Sequence, residues 1–182
     1  LLIASLGITV PGYAIVYVVP GGAGTQDGTS WTNAYASIQA AINAGPGVEV
    51  WVAAGTYAEP TITWQSNVSV YGGFTSGMTA RDQRNFTANQ TILDGQHARR
   101  ITHIAGVENI RFDGFILQNG NGSYPASSDG WAGAMFTEMA GPGIVANCIF
   151  RDNACPAHGG ALNINPGGLT VENCSFQDNT AN

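Results

Sequence analysis

Two acidic residues occupy equivalent places near the end of the chain, where paired carboxylates could bind Ca²⁺ or share acid and base roles in glycan cleavage. Asp152 and Asp178 are 26 residues apart, and each is followed by Asn. Asp is also common in tight turns, because its side chain accepts a hydrogen bond from the backbone two residues on. We expect the turn role for both residues, with a Ca²⁺ site as the alternative. We therefore assign no catalytic residue and expect no cofactor.

A polar insertion holds the residues that could contact a sugar. Tyr124, Asp129 and Trp131 lie within or beside the stretch 121–130, which is rich in Asn, Ser and Gly. An aromatic ring beside a carboxylate is a common platform for a sugar ring, and loops often carry function. The alternative for Trp131 is packing against the side of the domain, which we favour because large aromatic residues are mostly buried. The three residues remain the candidate glycan contacts.

Any thiol chemistry must involve one of the three cysteines, which are Cys148, Cys155 and Cys174. An odd count leaves at least one thiol unpaired or bonded to another molecule. Cys148 and Cys174 share the 26-residue spacing, so a disulfide between them is one alternative. We expect instead that both are free and face inward as small apolar side chains. The spacing of the histidines and cysteines matches no metal-binding pattern, so we expect no metal centre formed by them.

An internal repeat in the last third of the chain must position these residues. Residues 145–153 match residues 171–179 with a constant offset of 26, and residues 133–136 match 160–163 with an offset of 27. A degenerate earlier copy runs from Ile110 to Gly120, where Gly114 takes the place of Asn and Phe115 that of Cys. A repeat of this length without helical patterning predicts a coil of short parallel strands about 4.8 Å apart.

Equivalent repeat positions would lie directly above one another in such a coil. The predicted inward ladders are Val145 over Val171, Cys148 over Cys174, and Phe150 over Phe176. Asn147 and Asn173 are predicted to bend the chain between strands, with their side-chain amides bonding the backbone and each other along the stack. Phe176 is accordingly predicted to be a core residue.

The first half of the chain supplies one helix and a series of short strands. The helix is predicted from Asn33 to Ala44, capped by Thr32 or Asn33, with one apolar face that packs against a larger body. That face comprises Tyr35, Ile38, Ala41 and Ile42. Apolar and β-branched runs predict strands at Ile15–Val19, Val48–Ala53, Val68–Tyr71, Thr91–Leu93, Ile101–Ile104 and Ile110–Leu117.

Three segments are predicted along the chain. Residues 1–14 are interpreted as the remnant of a secretion signal, because an apolar run too short to span a bilayer precedes small residues at Gly12 and Ala14. A buried first strand is the alternative. Residues 15–47 are predicted to form the first strand and a capping helix. Residues 48–182 are predicted to form the coils, which we expect to continue into further chain beyond Asn182.

The composition excludes several classes of protein. The chain of 182 residues has 25 glycines, 10% charged residues and a net charge of −6, and its six basic residues are all arginine. A helical bundle or coiled coil needs many more charged residues, and Schiff-base chemistry needs a lysine. The negative charge repels phosphate backbones, so we expect no nucleic-acid partner.

The repeat motifs resemble those of a known family. GGAL at Gly159–Leu162, FRDN at Phe150–Asn153 and FQDN at Phe176–Asn179 are similar to the GGA[ILV] and FxxN repeats of polymorphic outer-membrane proteins. The first half resembles the amino-terminal part of bacterial secreted parallel β-helix proteins. Its matching segments are Tyr17–Gly24, Asn33–Ala44, Val48–Tyr57, Tyr71–Phe74 and Arg81–Arg84.

The resemblance implies an all-β fold, namely a right-handed, single-stranded parallel β-helix of the pectin-lyase type with an amino-terminal capping helix. It also implies an exported protein of the bacterial surface or outer membrane. We expect a structural stalk or adhesin without catalysis, whose partner would be a cell-surface glycan or a host surface. The alternatives are a glycan-binding module and a part of a carbohydrate-active enzyme, either a polysaccharide lyase or a glycoside hydrolase.

Overall fold

The computed structural model describes residues 14–123 and 130–182, and nearly all of its regular structure is β-strand. The strands are β1 (Ala14–Val18), β2 (Val48–Ala53), β3 (Gly55–Tyr57), β4 (Ile62–Thr63), β5 (Ser69–Phe74), β6 (Thr91–Asp94), β7 (Thr102–Ala105), β8 (Ile110–Asp113), β9 (Phe115–Gln118), β10 (Met135–Glu138), β11 (Gly143–Ala146), β12 (Ile149–Arg151), β13 (Ala154–Cys155), β14 (Leu162–Asn165), β15 (Leu169–Glu172), β16 (Ser175–Gln177) and β17 (Thr180–Ala181). The one α-helix of these residues is α1 (Ile38–Ile42), and short 3₁₀ turns lie at Trp31–Asn33 and Arg81–Gln83.

The strands form three main parallel sheets, and the chain visits them in rotation. Sheet A has the order β1-β2-β5-β8-β11-β15, sheet B the order β3-β6-β9-β12-β16, and sheet C the order β4-β7-β10-β14. Each passage of the chain through A, B and C is called a coil below. The prediction of a mostly β, parallel architecture is confirmed.

Pairing between neighbouring coils is in register at the positions that the repeat indicates. Val145 pairs with Val171 in sheet A, and Phe150 pairs with Phe176 in sheet B. The Phe150 and Phe176 rings stack with centroids 4.9 Å apart. Identical side chains at equivalent positions therefore fill the same place in successive coils.

Burial differs sharply along the Phe ladder. Phe150 is fully buried, whereas Phe176 is 49% exposed. Phe176 lies on β16, the last strand of sheet B, so only one face of its ring is covered by a neighbouring coil. The predicted stacking of Phe176 on Phe150 is present, and its assignment as a core residue stays a prediction.

The helix is shorter than the sequence predicted. Residues 34–37 are not helical, because Tyr35 forms a parallel bridge with Val18. Ser37, in extended conformation, is the cap of α1 and accepts a hydrogen bond from Ala40 N. Buried Ile38, Ala41 and Ile42 pack into the core, and α1 contacts β1, β2 and β4. The helix therefore packs against the first strands of sheets A and C.

The predicted strand Ile110–Leu117 is two strands in different sheets. Gly114 separates β8 from β9 and has φ of 84°, in the left-handed region that glycine adopts without steric cost. The backbone carbonyl of Gly72 and the side chains of Arg84 and Phe86 crowd the space where a Cβ at Gly114 would lie. This glycine thus permits both the turn and the close approach of a neighbouring segment.

Candidate functional site

The turns from sheet A to sheet B form a column of left-handed residues, Gly114, Asn147 and Asn173, which we call the first turn column. Asn147 has φ of 54° and Asn173 of 52°, a conformation that Asn tolerates better than most residues. The Asn147 amide donates to Asp113 Oδ1 at 2.9 Å. The predicted bond between the Asn147 and Asn173 amides is replaced here by a bond to a carboxylate.

The amides that bond along the stack belong to other residues. Asn153 Nδ2 donates to Leu117 O at 3.0 Å and to Asn179 Oδ1 at 2.9 Å, and Asn153 Oδ1 accepts from Gly120 N at 2.7 Å. Asn179 repeats the pattern, donating to Phe150 O and accepting from Asn153 N. We call Asn153 and Asn179 the amide column. Asn153 and Asn179 are 26 residues apart, so the repeat offset was the feature of the sequence that could have identified them.

Asp152 and Asp178 precede the amide column and are exposed turn residues. Their φ values are 53° and 51°, so each takes the left-handed conformation that ends a strand of sheet B. Within residues 14–123 and 130–182, no group of three His, Cys, Asp or Glu side chains is placed to hold a metal ion. The arrangement of Asp152 and Asp178 therefore supports a turn role.

Trp131 packs on the outer face of sheet C. Its ring centroid lies 5.6 Å from that of buried Phe136 and 5.4 Å from that of His158. His103 stacks on Phe136 and its Nε2 lies 3.0 Å from Glu138 Oε1. The other two candidate glycan contacts, Tyr124 and Asp129, lie outside the described residues. Trp131 is half-buried, so it combines packing with an accessible surface.

A charged cluster lies on the outer face of sheet A, and sequence reasoning did not place Asp113 at its centre. Asp113, only 1% exposed, accepts from Arg84 Nη2 at 2.6 Å through Oδ1 and from Arg111 Nε and Nη2 at 2.9 and 2.6 Å through Oδ2. Burial alone would raise the pKa of Asp113, but hydrogen bonds from Asn147, Arg84 and Arg111 outweigh it and lower the pKa. Asp113 is thus an ionised carboxylate at neutral pH, surrounded by donors.

The same cluster holds the segment 75–90, which joins β5 to β6. Arg84 also donates to the carbonyls of Gly72 and Asp113. Arg81 pairs with Glu49 at 3.1 Å, and its guanidinium lies over the Tyr71 ring. These bonds fix the segment against the coils.

The cysteines are all free thiols. Burial raises the pKa of the Cys148 thiol, while the interaction with the Cys148 side chain lowers the pKa of Cys174 to about 7. Cys155 is buried and its Sγ lies 2.6 Å from Gly130 O. Cys148 and Cys174 lie at equivalent positions of adjacent coils, as reduced thiols rather than a disulfide.

Comparisons with protein-family models, with curated proteins and with solved structures each gave no match to this chain. The helical segments that the structure describes are all too short or too polar to cross a membrane. The function is therefore inferred from the geometry of the described residues.

Proposed function

We propose that this chain is a segment of an exported bacterial surface protein and acts as a structural stalk or adhesin without catalysis of its own. The fold proposed for it is a right-handed, single-stranded parallel β-helix of the pectin-lyase type. The repeat motifs similar to those of polymorphic outer-membrane proteins support the surface location. The expected partner is a cell-surface glycan or a host surface.

One observation carries the proposal, namely the parallel pairing of neighbouring coils from the first to the last, with a register shift between β2 and β5 at Trp51 and Ala53. Sheet A continues through six parallel strands and sheet B through five. Stacked repeats of this kind make an elongated body whose lateral surface is available for contacts. Such a body suits a spacer or a binding surface.

The charged groups of the described residues support the absence of catalysis in the proposal. Asp113 is enclosed by two guanidinium groups, so its carboxylate is not placed to accept a proton from a substrate. Asp152 and Asp178 are exposed turn residues in the left-handed conformation at the ends of β12 and β16, which is a structural role. Glu59 accepts hydrogen bonds from the first backbone N–H groups of α1 and so has a structural role.

The alternative of a glycan-binding module has its own support in the Trp131 face. An accessible aromatic ring lies beside the His103–Glu138 pair there, and such a combination suits contact with sugar hydroxyls. A carbohydrate-active enzyme would need a productive acid–base pair on this or another face.

The proposal is tested by measuring attachment and turnover with the same full chain. Beads coated with the chain should attach to glycan-coated surfaces or to host cells, and uncoated beads should not. Pectin, alginate and neutral polysaccharides incubated with the chain, with and without Ca²⁺, should show no new reducing ends and no new unsaturated products. Turnover that is lost in Asp152→Asn or Asp178→Asn would overturn the proposal in favour of an enzyme.

A further inference from the structure

A groove of about 160 Å³ lies beside the first turn column. One wall is formed by Phe86, Thr87 and Gln90 of the segment 75–90, and the other includes Asn147 and Asn173. We propose that this groove binds an uncharged saccharide, with Phe86 as the platform for one sugar ring. The inference rests on the adhesive function proposed above and adds a site and a ligand class to it.

Phe86 is an accessible aromatic side chain held in a fixed position. It is 37% exposed, yet its backbone packs so closely on Gly73 that a Cβ there would lie 2.7 Å from Phe86 Cα. The adjacent Asn85 N donates to Gly73 O at 2.8 Å, and Arg84 is anchored on Asp113. Since the ring is already positioned, little conformational entropy would be lost when a ligand covers it.

The rest of the groove combines apolar and polar groups. Ile116 and Ile149 pair in register on sheet B and supply apolar side chains to the lining. Among the described residues, no hydrogen bond engages the side chains of Thr87, Gln90 or Asn173. Hydroxyl and amide groups offer both donors and acceptors, which is what the hydroxyls of a sugar require.

The charge of the lining selects the class of saccharide. Phe86, Gly114, Phe115 and the other described residues that line the groove carry no charged side chain. The guanidinium of Arg84 lies over the Phe86 ring, 5.4 Å from its centroid, and its charge is paired with the carboxylate of Asp113, which Arg111 also binds. A chain with a net charge of −6 would also repel an acidic polymer. An uncharged sugar therefore fits this groove, and a uronate polymer does not.

A peptide ligand is disfavoured by the hydrogen bonding of sheet B. In the described structure, β12 pairs with both β9 and β16 beneath the groove, so neither edge of β12 is open to an added strand. Addition of a strand to a sheet edge is the main way in which a β-sheet captures an extended peptide. Side-chain recognition of a sugar needs no such edge.

The test is a calorimetric titration of the full chain with neutral hexasaccharides, namely cellohexaose, laminarihexaose, mannohexaose and chitohexaose, and with hexagalacturonate for comparison. At least one neutral hexasaccharide should bind. Phe86→Leu should weaken its binding about tenfold, because the ring is lost while apolar volume remains, and Phe86→Trp should retain it. Ile15→Ala is the matched control, since Ile15 is also 37% exposed and lies on β1, and its affinity should be unchanged.

Three outcomes would overturn the inference: no neutral hexasaccharide binds, binding is unaffected by Phe86→Leu, or hexagalacturonate binds more tightly than every neutral ligand. The attachment assay separates these from failure of the proposed function. Beads carrying Phe86→Leu that attach as well as the unsubstituted chain would overturn the groove alone. Failure of the unsubstituted chain to attach to any surface would overturn the adhesive function itself.

Discussion

The turns on the two sides of sheet B use Asn in different ways. In the first turn column, Asn147 points its amide to Asp113 and so connects the coil to the arginine cluster and the segment 75–90. In the amide column, Asn153 and Asn179 repeat the same bonds from coil to coil. The comparison shows that both sides of sheet B join neighbouring coils, but only the side of Asn147 also ties them to the arginine cluster on the lateral surface.

Among the substitutions that test this comparison, removal of the Asp113 carboxylate should lower the free energy of unfolding most. Asp113→Ala leaves Arg84 and Arg111 without their common partner, and we expect a loss of about 3 kcal/mol in the free energy of unfolding. Urea denaturation measures this loss. Limited proteolysis should also cut within residues 75–90 in the variant before it cuts the coils.

Glu138→Gln is the control for this prediction. Glu138 pairs with His103 on sheet C, but its side chain is 45% exposed, so the expected loss is below about 0.5 kcal/mol. If both variants unfold at the same urea concentration, the Asp113 cluster does not hold the first turn column as described.

Asn153→Ala should have the next largest effect. It removes the partner of Gly120 N and of Leu117 O inside the stack, and we expect a loss of about 2 kcal/mol. The segment 75–90 should remain as resistant to protease as in the parent chain, because Asn153 lies on the other side of sheet B. Early cleavage in that segment would contradict the separation of the two columns.

Asn147→Gly should cost less, about 1 kcal/mol, because glycine retains the left-handed turn and only the bond to Asp113 is lost. Thermal or urea unfolding checks the value. Asn147→Ala should be less stable than Asn147→Gly, since alanine adds the steric cost of positive φ. The opposite order would show that the turn geometry does not limit this position.

The same cluster predicts how stability depends on pH. Because the pKa of Asp113 is lowered in the folded chain, its contribution is present at neutral pH and is lost as the pH falls below about 4 through the folded pKa. Urea midpoints measured between pH 7 and pH 2 should therefore decline at the acid end. The decline should be shallower in Asp113→Asn, and an identical decline in both chains would contradict the assignment.

The stack of parallel strands could be predicted from the sequence because the repeat is local and regular. A constant offset places Val145 over Val171 once strands pair in register. The offset does not distinguish Asn147 from Asn153, since both recur after 26 residues, and only the three-dimensional path shows which amide bonds to the equivalent Asn and which to a carboxylate. The spacing of apolar residues over Asn33–Ala44 predicts a longer helix than the structure contains. The reason is that the bridge between Tyr35 and Val18 competes with the first turns of the helix.

The groove and the role of Asp113 could not be predicted for a different reason. Arg84 and Asp113 are 29 residues apart and carry no shared motif. Phe86 occurs in a segment without apolar periodicity, and its fixed position depends on Gly73 and Gly114 from two different coils. Such contacts join residues that are distant in sequence, so local sequence patterns do not indicate them.

The most direct test of the account is a pair of double-mutant cycles measured by urea unfolding. For the amide column, Asn153→Ala and Asn179→Ala should be coupled by about 1 kcal/mol, because they remove the same bond between coils. For the first turn column, Asn147→Gly and Asn173→Gly should be additive within about 0.3 kcal/mol, since Asn147 bonds to Asp113. Additivity in the amide column together with coupling in the first turn column would contradict the account.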